Sequence, residues 1–503
     1  MSDFEKRMAA LSSEQLEQLK ERLAAEGIDL QADLKGKKAQ VYLPLGPVEK
    51  KEYYPLSSVQ KRLFTLEQLG GSGTVYQLTA THTVTGDLDI DKVKQVMQAI
   101  VGRHESFRTS FQVIDGEPQQ RIWPKVKLEI ESFDCPDQAF PFDRFIRPFD
   151  LASAPLMRVS ACRLDEDKFM IVIDMHHIVS DALSKRILWE EFDRLYRGEV
   201  LPEPPLQYKD FSAWQNTQEV QKKLLAQEEY WLKEFSGPIP LINLPLDFDR
   251  PKIKNYAGRY RLFKIDRQKT AALKSLAARE NATLFSLVLA LYNVFLAKVS
   301  GQADIVAGVP IAGRRQPELA NVIGMFVNTL ALRNYPLEDM SFTGFLREVR
   351  QKTLQAFDHQ DYPFEDLVNR VIKNRDTSRN PLFDVFFSFR APGVSFELPS
   401  DWVDADREGG GLAEDNLPES DTLSMFDLYF LGADIDGELL LVLVYASALF
   451  KAQTIDRFIR YIKDIMVAVA DRPGIKLKDI QVSHDLAPAR ALPLPGDGED
   501  FDF

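Results

Sequence analysis

Phe169-Met170-Ile171-Val172-Ile173-Asp174-Met175-His176-His177-Ile178-Val179-Ser180-Asp181 is the stretch on which the fold turns. Its first seven residues are apolar and β-branched and predict a buried strand. From Asp181 to Tyr196 the apolar residues Leu183, Ile187, Leu188, Leu195 and Tyr196 fall near helical spacing, and Gly198 stops the run. The two histidines therefore sit where a core strand ends and a helix begins, a place where rigid scaffolds present reactive groups. The chain has 6 histidines in 503 residues, so composition does not account for an adjacent pair. Imidazole is also the side chain best suited to moving a proton near neutral pH.

Two plainer readings stand beside the catalytic one. A lone histidine at a strand end is more often a hydrogen-bonded structural group than a reactive one. His177 and Asp181, four apart, could share a helical face and ligate a metal. Zinc needs a third protein ligand, however, and no His or Cys lies nearby at ligand spacing, so no metal site is expected.

Composition narrows the class. A chain of 503 residues exceeds one ordinary core and calls for at least two lobes. With 45% hydrophobic and 27% charged residues it reads as a globular protein, and a net charge of −13 argues against a nucleic-acid partner. Two cysteines, Cys135 and Cys162, exclude a disulfide framework and fit a reducing cytosol. No apolar run approaches a membrane span, and the N-terminus lacks a signal peptide's apolar core. A cytoplasmic monomer away from the membrane is expected.

Four regions are expected along the chain: a helical appendage over 1–45, a first lobe over 46–235, a second lobe over 236–485 and a flexible acidic tail over 486–503. In the appendage Ser12 and Gln15 suit a capping box, and Leu16, Leu19 and Leu23 follow at helical spacing. That stripe either packs on its own protein or docks on another. In the first lobe a helix from Asp91 carries Val93, Val96, Met97, Ile100 and Val101 on one face, with Gly102 after it. Gly237-Pro238-Ile239-Pro240 reads as a connector. The second lobe shows a long apolar helix near Leu284–Val299, a strand over Asp304–Val309, a hairpin at Asp436-Gly437 and a helix from Thr454. Residues 401–421, rich in Asp, Glu and Gly, read as a surface loop. The mixture of helices and strands in both halves predicts an α/β fold, α+β mixed, with two similar lobes. The tail spaces acidic residues with Phe501 and Phe503, which suits either a frayed end or a short docking motif.

Seven segments, in order, share one resemblance. They are Leu56–Phe64, Arg103–Phe111, the paired-histidine segment, Tyr208–Trp214, Ile323–Leu330, His359–Glu365 and Arg375–Leu382. Each alone is weak. Together, over about residues 50–485, they resemble the core motifs of condensation domains of nonribosomal peptide synthetases.

The resemblance implies two chloramphenicol-acetyltransferase-like lobes in a V arrangement with a central tunnel. Donor and acceptor carrier proteins would present phosphopantetheine arms from opposite faces. These arms are substrates, and no cofactor is expected to be bound permanently. The acceptor amine would attack the donor thioester, with no covalent enzyme intermediate. His177 matches the family's second histidine, which acts as base or as positioning group. His176 would brace the loop. Asp181 would pair with an arginine from the second lobe, for which Arg314 is the match. Asn328 falls in the segment that bridges the lobes and is a candidate for the tunnel wall.

One position departs from the family pattern. Ala182 stands where glycine is usual, and its methyl group either narrows the approach of one arm or is silent if the backbone there is plain helix. Cyclisation-type relatives carry aspartates in place of the paired histidines. Epimerisation-type relatives lack a segment like Phe326-Val327-Asn328-Thr329. Leu69-Gly70-Gly71-Ser72 reads as a turn rather than a carrier attachment site. The leading expectation is an amide-forming condensation enzyme of nonribosomal peptide or hybrid peptide–polyketide biosynthesis. An ester-forming or free-acceptor acyltransferase of the same superfamily is the alternative within enzymes. A non-catalytic docking or gating module, with Ala182 as a sign of decay, is the alternative outside them. A docking domain that binds the C-terminal tail or the N-terminal helix is a further candidate partner.

Overall fold

The computed structural model describes residues 43–68, 73–86, 88–135, 140–165, 167–374, 376–390 and 419–482. The expected N-terminal capping box, the Leu69–Ser72 turn, the acidic tail and most of the 401–421 loop lie outside the described residues. The chain divides into two compact units, Met1–Pro44 and Leu45–Phe503. The helices and strands of the described residues belong to the second.

The first half carries strands β1 (Tyr53–Pro55), β2 (Gln77–Thr85), β3 (Thr109–Ile114), β4 (Glu117–Ile122), β5 (Ile130–Asp134), β6 (Met157–Asp165) and β7 (Lys168–His176). They form a three-stranded sheet in the order β1-β4-β3 and a four-stranded sheet in the order β2-β7-β6-β5. The second half carries β8 (Ala257–Ile265), β9 (Ile305–Ile311), β10 (Asn328–Asn334), β11 (Val385–Arg390), β12 (Glu419–Leu423), β13 (Leu428–Ile435) and β14 (Glu438–Ala446). These build a seven-stranded mixed sheet in the order β10-β9-β11-β13-β14-β8-β12. The main helices are α1 (Ser58–Gln68), α2 (Ile90–Arg103), α3 (Ala182–Tyr196), α4 (Tyr208–Gln215), α5 (Gln218–Glu234), α6 (Arg267–Arg279), α7 (Leu284–Ser300), α8 (Phe342–Asp358), α9 (Phe364–Val371) and α10 (Ala452–Asp471).

β7 is an interior strand of the first half, paired with β2 and β6 and buried on both faces. Ile171, Ile173 and Met175 point to one side and join the buried faces of α2 and α3. Val172 points to the other, among Phe140, Phe145 and Cys162. The α2 face is the one its sequence predicts: Val93, Val96, Met97, Ile100 and Val101 are all buried. Burying side chains of this size contributes about 1.5–3 kcal/mol each. The helix continues through Gly102 to Arg103, its last turn closed by His104 N–H donating to Ile100 O, and Arg103 hydrogen-bonds Glu191.

In the second half α7 is buried along nearly its whole length and ends at Gly301 in the left-handed conformation. The Asp436-Gly437 hairpin joins β13 to β14 with φ of 50° and 84° at its two turn residues, the conformation a two-residue type I′ turn requires. One expectation needs correction. Residues 419–421 are not loop but the start of β12, paired antiparallel with Arg259–Arg261 of β8. A polar edge strand lacks the apolar pattern that marks a strand in sequence, and it forms here because β8 offers an unpaired edge. Among the described residues no single helix is long and apolar enough to cross a membrane.

Candidate active site

The site is the connection from β7 to α3. His176 ends the strand opposite Gln77 of β2, His177–Val179 make one 3₁₀ turn, and Asp181 caps α3. Asp181 Oδ1 accepts from Ser184 N–H at 2.8 Å, which satisfies one of the orphan amides of the first helical turn.

His177 is only partly buried. Its backbone N–H donates to Tyr76 O at 2.8 Å, and its Nδ1 lies 2.8 Å from Ser180 O. A carbonyl only accepts, so Nδ1 carries the proton and Nε2 holds the lone pair. Burial holds the ring's pKa below its ordinary 6.5, against an opposing pull from the Asp181 charge. The imidazole is therefore neutral at physiological pH, with one basic nitrogen unused by its own turn.

His176 is oriented differently. It is buried, its Nδ1 accepts from Ile178 N–H at 3.0 Å, and its Nε2 faces Glu67 at 3.2 Å. The edge of Phe149 packs against its ring.

Asp181 and Arg314 meet across 133 residues of chain as a buried fork. Arg314 Nη1 donates to Oδ2 at 2.7 Å and Nη2 to Oδ1 at 3.0 Å. Phe326 N–H adds a bond to Oδ2 at 3.1 Å, and the guanidinium also donates to Val322 O and lies over the Phe326 ring. The Ser184 hydroxyl accepts from Arg314 and from Gly324 N–H, both at 3.0 Å. Gly313 makes this delivery possible. Its φ is +67°, and a Cβ there would sit 1.9 Å from Phe326 O.

The segment Val322–Phe326 thus leaves the second half and threads into the first. Ile323 joins the core of α2 and α3, and its carbonyl accepts from Ser106. Tyr208 of α4 holds the segment from the other side: its hydroxyl donates to Met325 O and lies 2.7 Å from Ser57 Oγ. Gly324 is packed against that tyrosine ring, where a Cβ would fall 1.9 Å from a ring carbon.

Asn328 begins β10, and its amide is fully engaged. Nδ2 donates to Gln360 O and Tyr362 O at 3.0 and 2.8 Å, and Oδ1 accepts from Phe364 N–H. It clamps the 360–364 turn, and no N–H of the amide remains for a ligand. Ala182 is the first residue of α3, exposed, in ordinary helical backbone. Residues that sequence reasoning does not single out are Gln60, Tyr208 and Gly324, inside the motifs, and Glu67 and Ser184, just beyond them. Each acts through a partner more than 100 residues away, and Ser184 alone also has a local signal, its spacing of three from the capping Asp181.

Two adjoining clefts of about 420 and 360 Å³ lie between α1, the start of α5 and α9, sharing Gln221, Asp366 and Asn369. Arg62 and Glu365 pair at 2.9 Å in the larger one, and His177 lines neither. Among the described residues no group of three His, Cys, Asp or Glu side chains is placed to hold a metal ion.

The family description "Condensation domain" matches residues 50–489. Surfactin synthase subunit 1 of Bacillus subtilis (strain 168) is 40% identical over 464 residues, which are 90% of this chain and 13% of that protein. Tyrocidine synthase 3 of Brevibacillus parabrevis is 40% identical over 446 residues, 88% of this chain and 7% of that protein. The chain therefore spans a small fraction of the length of these relatives. Among solved structures, the X-domain from teicoplanin biosynthesis superposes with a TM-score of 0.76 at 22% identity, covering 88% of this chain and all of that one. The condensation domain from Monacolin K polyketide synthase MokA superposes with a TM-score of 0.71 at 20% identity, covering 86% of this chain and all of that one. At such identities the likeness is one of fold.

Proposed function

The chain belongs to the condensation-domain family, and from that premise we propose that it joins a carrier-bound acyl or peptidyl thioester to an amine in nonribosomal peptide or hybrid peptide–polyketide biosynthesis. The observation that carries this reading is the free lone pair on Nε2 of a neutral His177, held on a turn locked by the Asp181–Arg314 fork.

The acceptor nitrogen forms a bond to the thioester carbonyl carbon, and the C–S bond breaks. The amine's proton passes to Nε2 and then to the departing thiolate, so the products are an amide and a free thiol. A base in this position contributes a rate factor of about 10² to 10⁴. Holding two tethered reactants in one cleft contributes more, by replacing a bimolecular encounter with a local one. His176, Asp181 and Arg314 position the turn. Ala182 leaves the approach open, since its methyl group is exposed on the first helical turn.

The partners in this reading are donor and acceptor carrier proteins, whose phosphopantetheine arms approach His177 along the cleft between the lobes. Either residues 493–503 or the apolar stripe of Leu16, Leu19 and Leu23 docks a partner protein. The enzyme works as a monomer in the cytoplasm. The test is intact-protein mass spectrometry with two differently loaded carriers. Transfer of the acyl mass from donor to an amine-bearing acceptor supports the reading. Transfer only to a hydroxyl-bearing acceptor assigns ester formation instead, and no transfer to any acceptor rejects it.

A further inference from the structure

We propose that Glu67 is a positioning residue for the reaction, acting on His177 through His176. The proposal rests on the reading of His177 as the group that receives the amine's proton.

One face of α1 grips the turn that bears His177. Gln60 and Glu67 are seven residues apart, close to two helical turns, so both look to the same side. Between them Leu63 and Phe64 pack in the cluster that contains Ile178 and Val179. Gln60 Oε1 accepts from Ser57 N–H at 3.1 Å, which orients the amide so that Nε2 donates to Ile178 O at 3.4 Å. Glu67 reaches the N–H of the same residue indirectly. Its Oε1 lies 3.2 Å from His176 Nε2, and His176 Nδ1 accepts from Ile178 N–H at 3.0 Å. Helix α1 therefore holds Ile178 by its carbonyl and, through one imidazole, by its N–H.

The chemistry of that imidazole makes Glu67 matter. Ile178 N–H needs an acceptor, so Nδ1 must keep its lone pair and the proton must sit on Nε2. His176 is buried, and the Glu67 carboxylate is what receives that proton. Without it, an Nε2–H is stranded inside the protein. In the other tautomer, Nδ1–H faces Ile178 N–H, donor against donor, and the turn loses its cap. Within the turn the backbone closes through Ser180 N–H to His177 O at 3.2 Å, and the cap on Ile178 N–H comes from His176. Glu67 thus sets the tautomer of one histidine in order to place the other.

The test is steady-state kinetics of Glu67→Ala and Glu67→Gln with loaded carriers, alongside melting curves and ¹⁵N-histidine spectra. The expected result for Glu67→Ala is a fall in kcat of about 10- to 100-fold, the scale of a misplaced catalytic group. KM for both carriers should be unchanged, and the His176 ring should lose its Nε2–H signature. Glu67→Gln retains an acceptor oxygen and should recover kcat to within a few-fold. Glu67→Met fills the site without an acceptor and replaces alanine if that variant does not fold. Wild-type kcat in the alanine and methionine variants overturns the proposal. So does an equal loss in the glutamine variant, or an effect confined to KM. If His177→Ala turns over normally, the parent reading fails whatever the His176 spectra show. If His177→Ala is inactive and Glu67→Ala is not impaired, the role of Glu67 alone fails.

Discussion

Replacing Asp181 with alanine removes the acceptor of five described donors: both Nη atoms of Arg314, the N–H groups of Ser184 and Phe326, and the Ser184 hydroxyl. Asp181 is fully buried, and the Arg314 side chain is only 4% exposed, so the guanidinium is left charged inside the protein. Removing one member of such a pair costs about 3–5 kcal/mol, because the stranded charge has no water to turn to. For a lobe of about 150–250 residues each kcal/mol shifts the melting temperature by about 2–4 °C, so a drop of about 6–20 °C is expected. Differential scanning calorimetry measures it. Turnover should fall in parallel, since Val322–Phe326 and the His177 turn share this anchor. Adding Arg314→Met to the alanine variant should recover part of the melting temperature by removing the uncompensated charge. A variant that melts within about 1 °C of wild type while losing turnover refutes the reasoning, because Asp181 would then act in the chemistry rather than in the brace.

The remaining predictions concern the same loop and its supports. His177→Ala should lose product by about 10² to 10⁴-fold at an unchanged melting temperature, measured with two loaded carriers; undiminished turnover rejects the role of His177. Because burial lowers the His177 pKa, kcat should hold as pH falls through 6.5 and drop only below it. The same shift has a stability consequence. The unfolded chain takes up the proton first, so the contribution of neutral His177 is full above pH 6.5 and is lost as pH falls towards the folded value. Asp174 has the opposite sign. Burial outweighs Arg158 and raises its carboxyl to about 6 from 3.8, so its contribution to stability is full below pH 3.8 and is lost as pH rises through 6. Asp174→Asn should flatten that part of the wild-type pH–stability curve, and identical slopes in the two proteins refute it. Gly313→Ala meets both a left-handed backbone and the Phe326 carbonyl and should destabilise by about 2 kcal/mol or more, read as a shift in urea midpoint.

Local pattern made much of the first half legible. The apolar run before His176, the helical spacing after Asp181 and the five-residue face of α2 each have a period set by backbone geometry, and each element forms where that period places it. The hairpin at Asp436-Gly437 was equally readable, because a two-residue turn with positive φ selects those residue types. The edge strand at 419–423 was not, since it is defined by the partner it joins rather than by its own composition.

For the site the division is sharper. The sequence by itself determined that two histidines and an aspartate stand at a strand-to-helix junction. Strand, turn and cap are all short-range events within Phe169–Tyr196. Arg314 was reached only through resemblance to a family, because no local rule pairs it with a carboxylate 133 residues earlier. Which histidine nitrogen keeps its lone pair was decided by tertiary structure alone. Ser180 O sets it for His177, and Ile178 N–H with Glu67 sets it for His176. The crossing of Val322–Phe326 into the first half was decided there too, by a phenol and two glycines that bring distant backbones within van der Waals contact. Hydrogen bonds and close packing depend on separation in space, and a sequence records only separation along the chain.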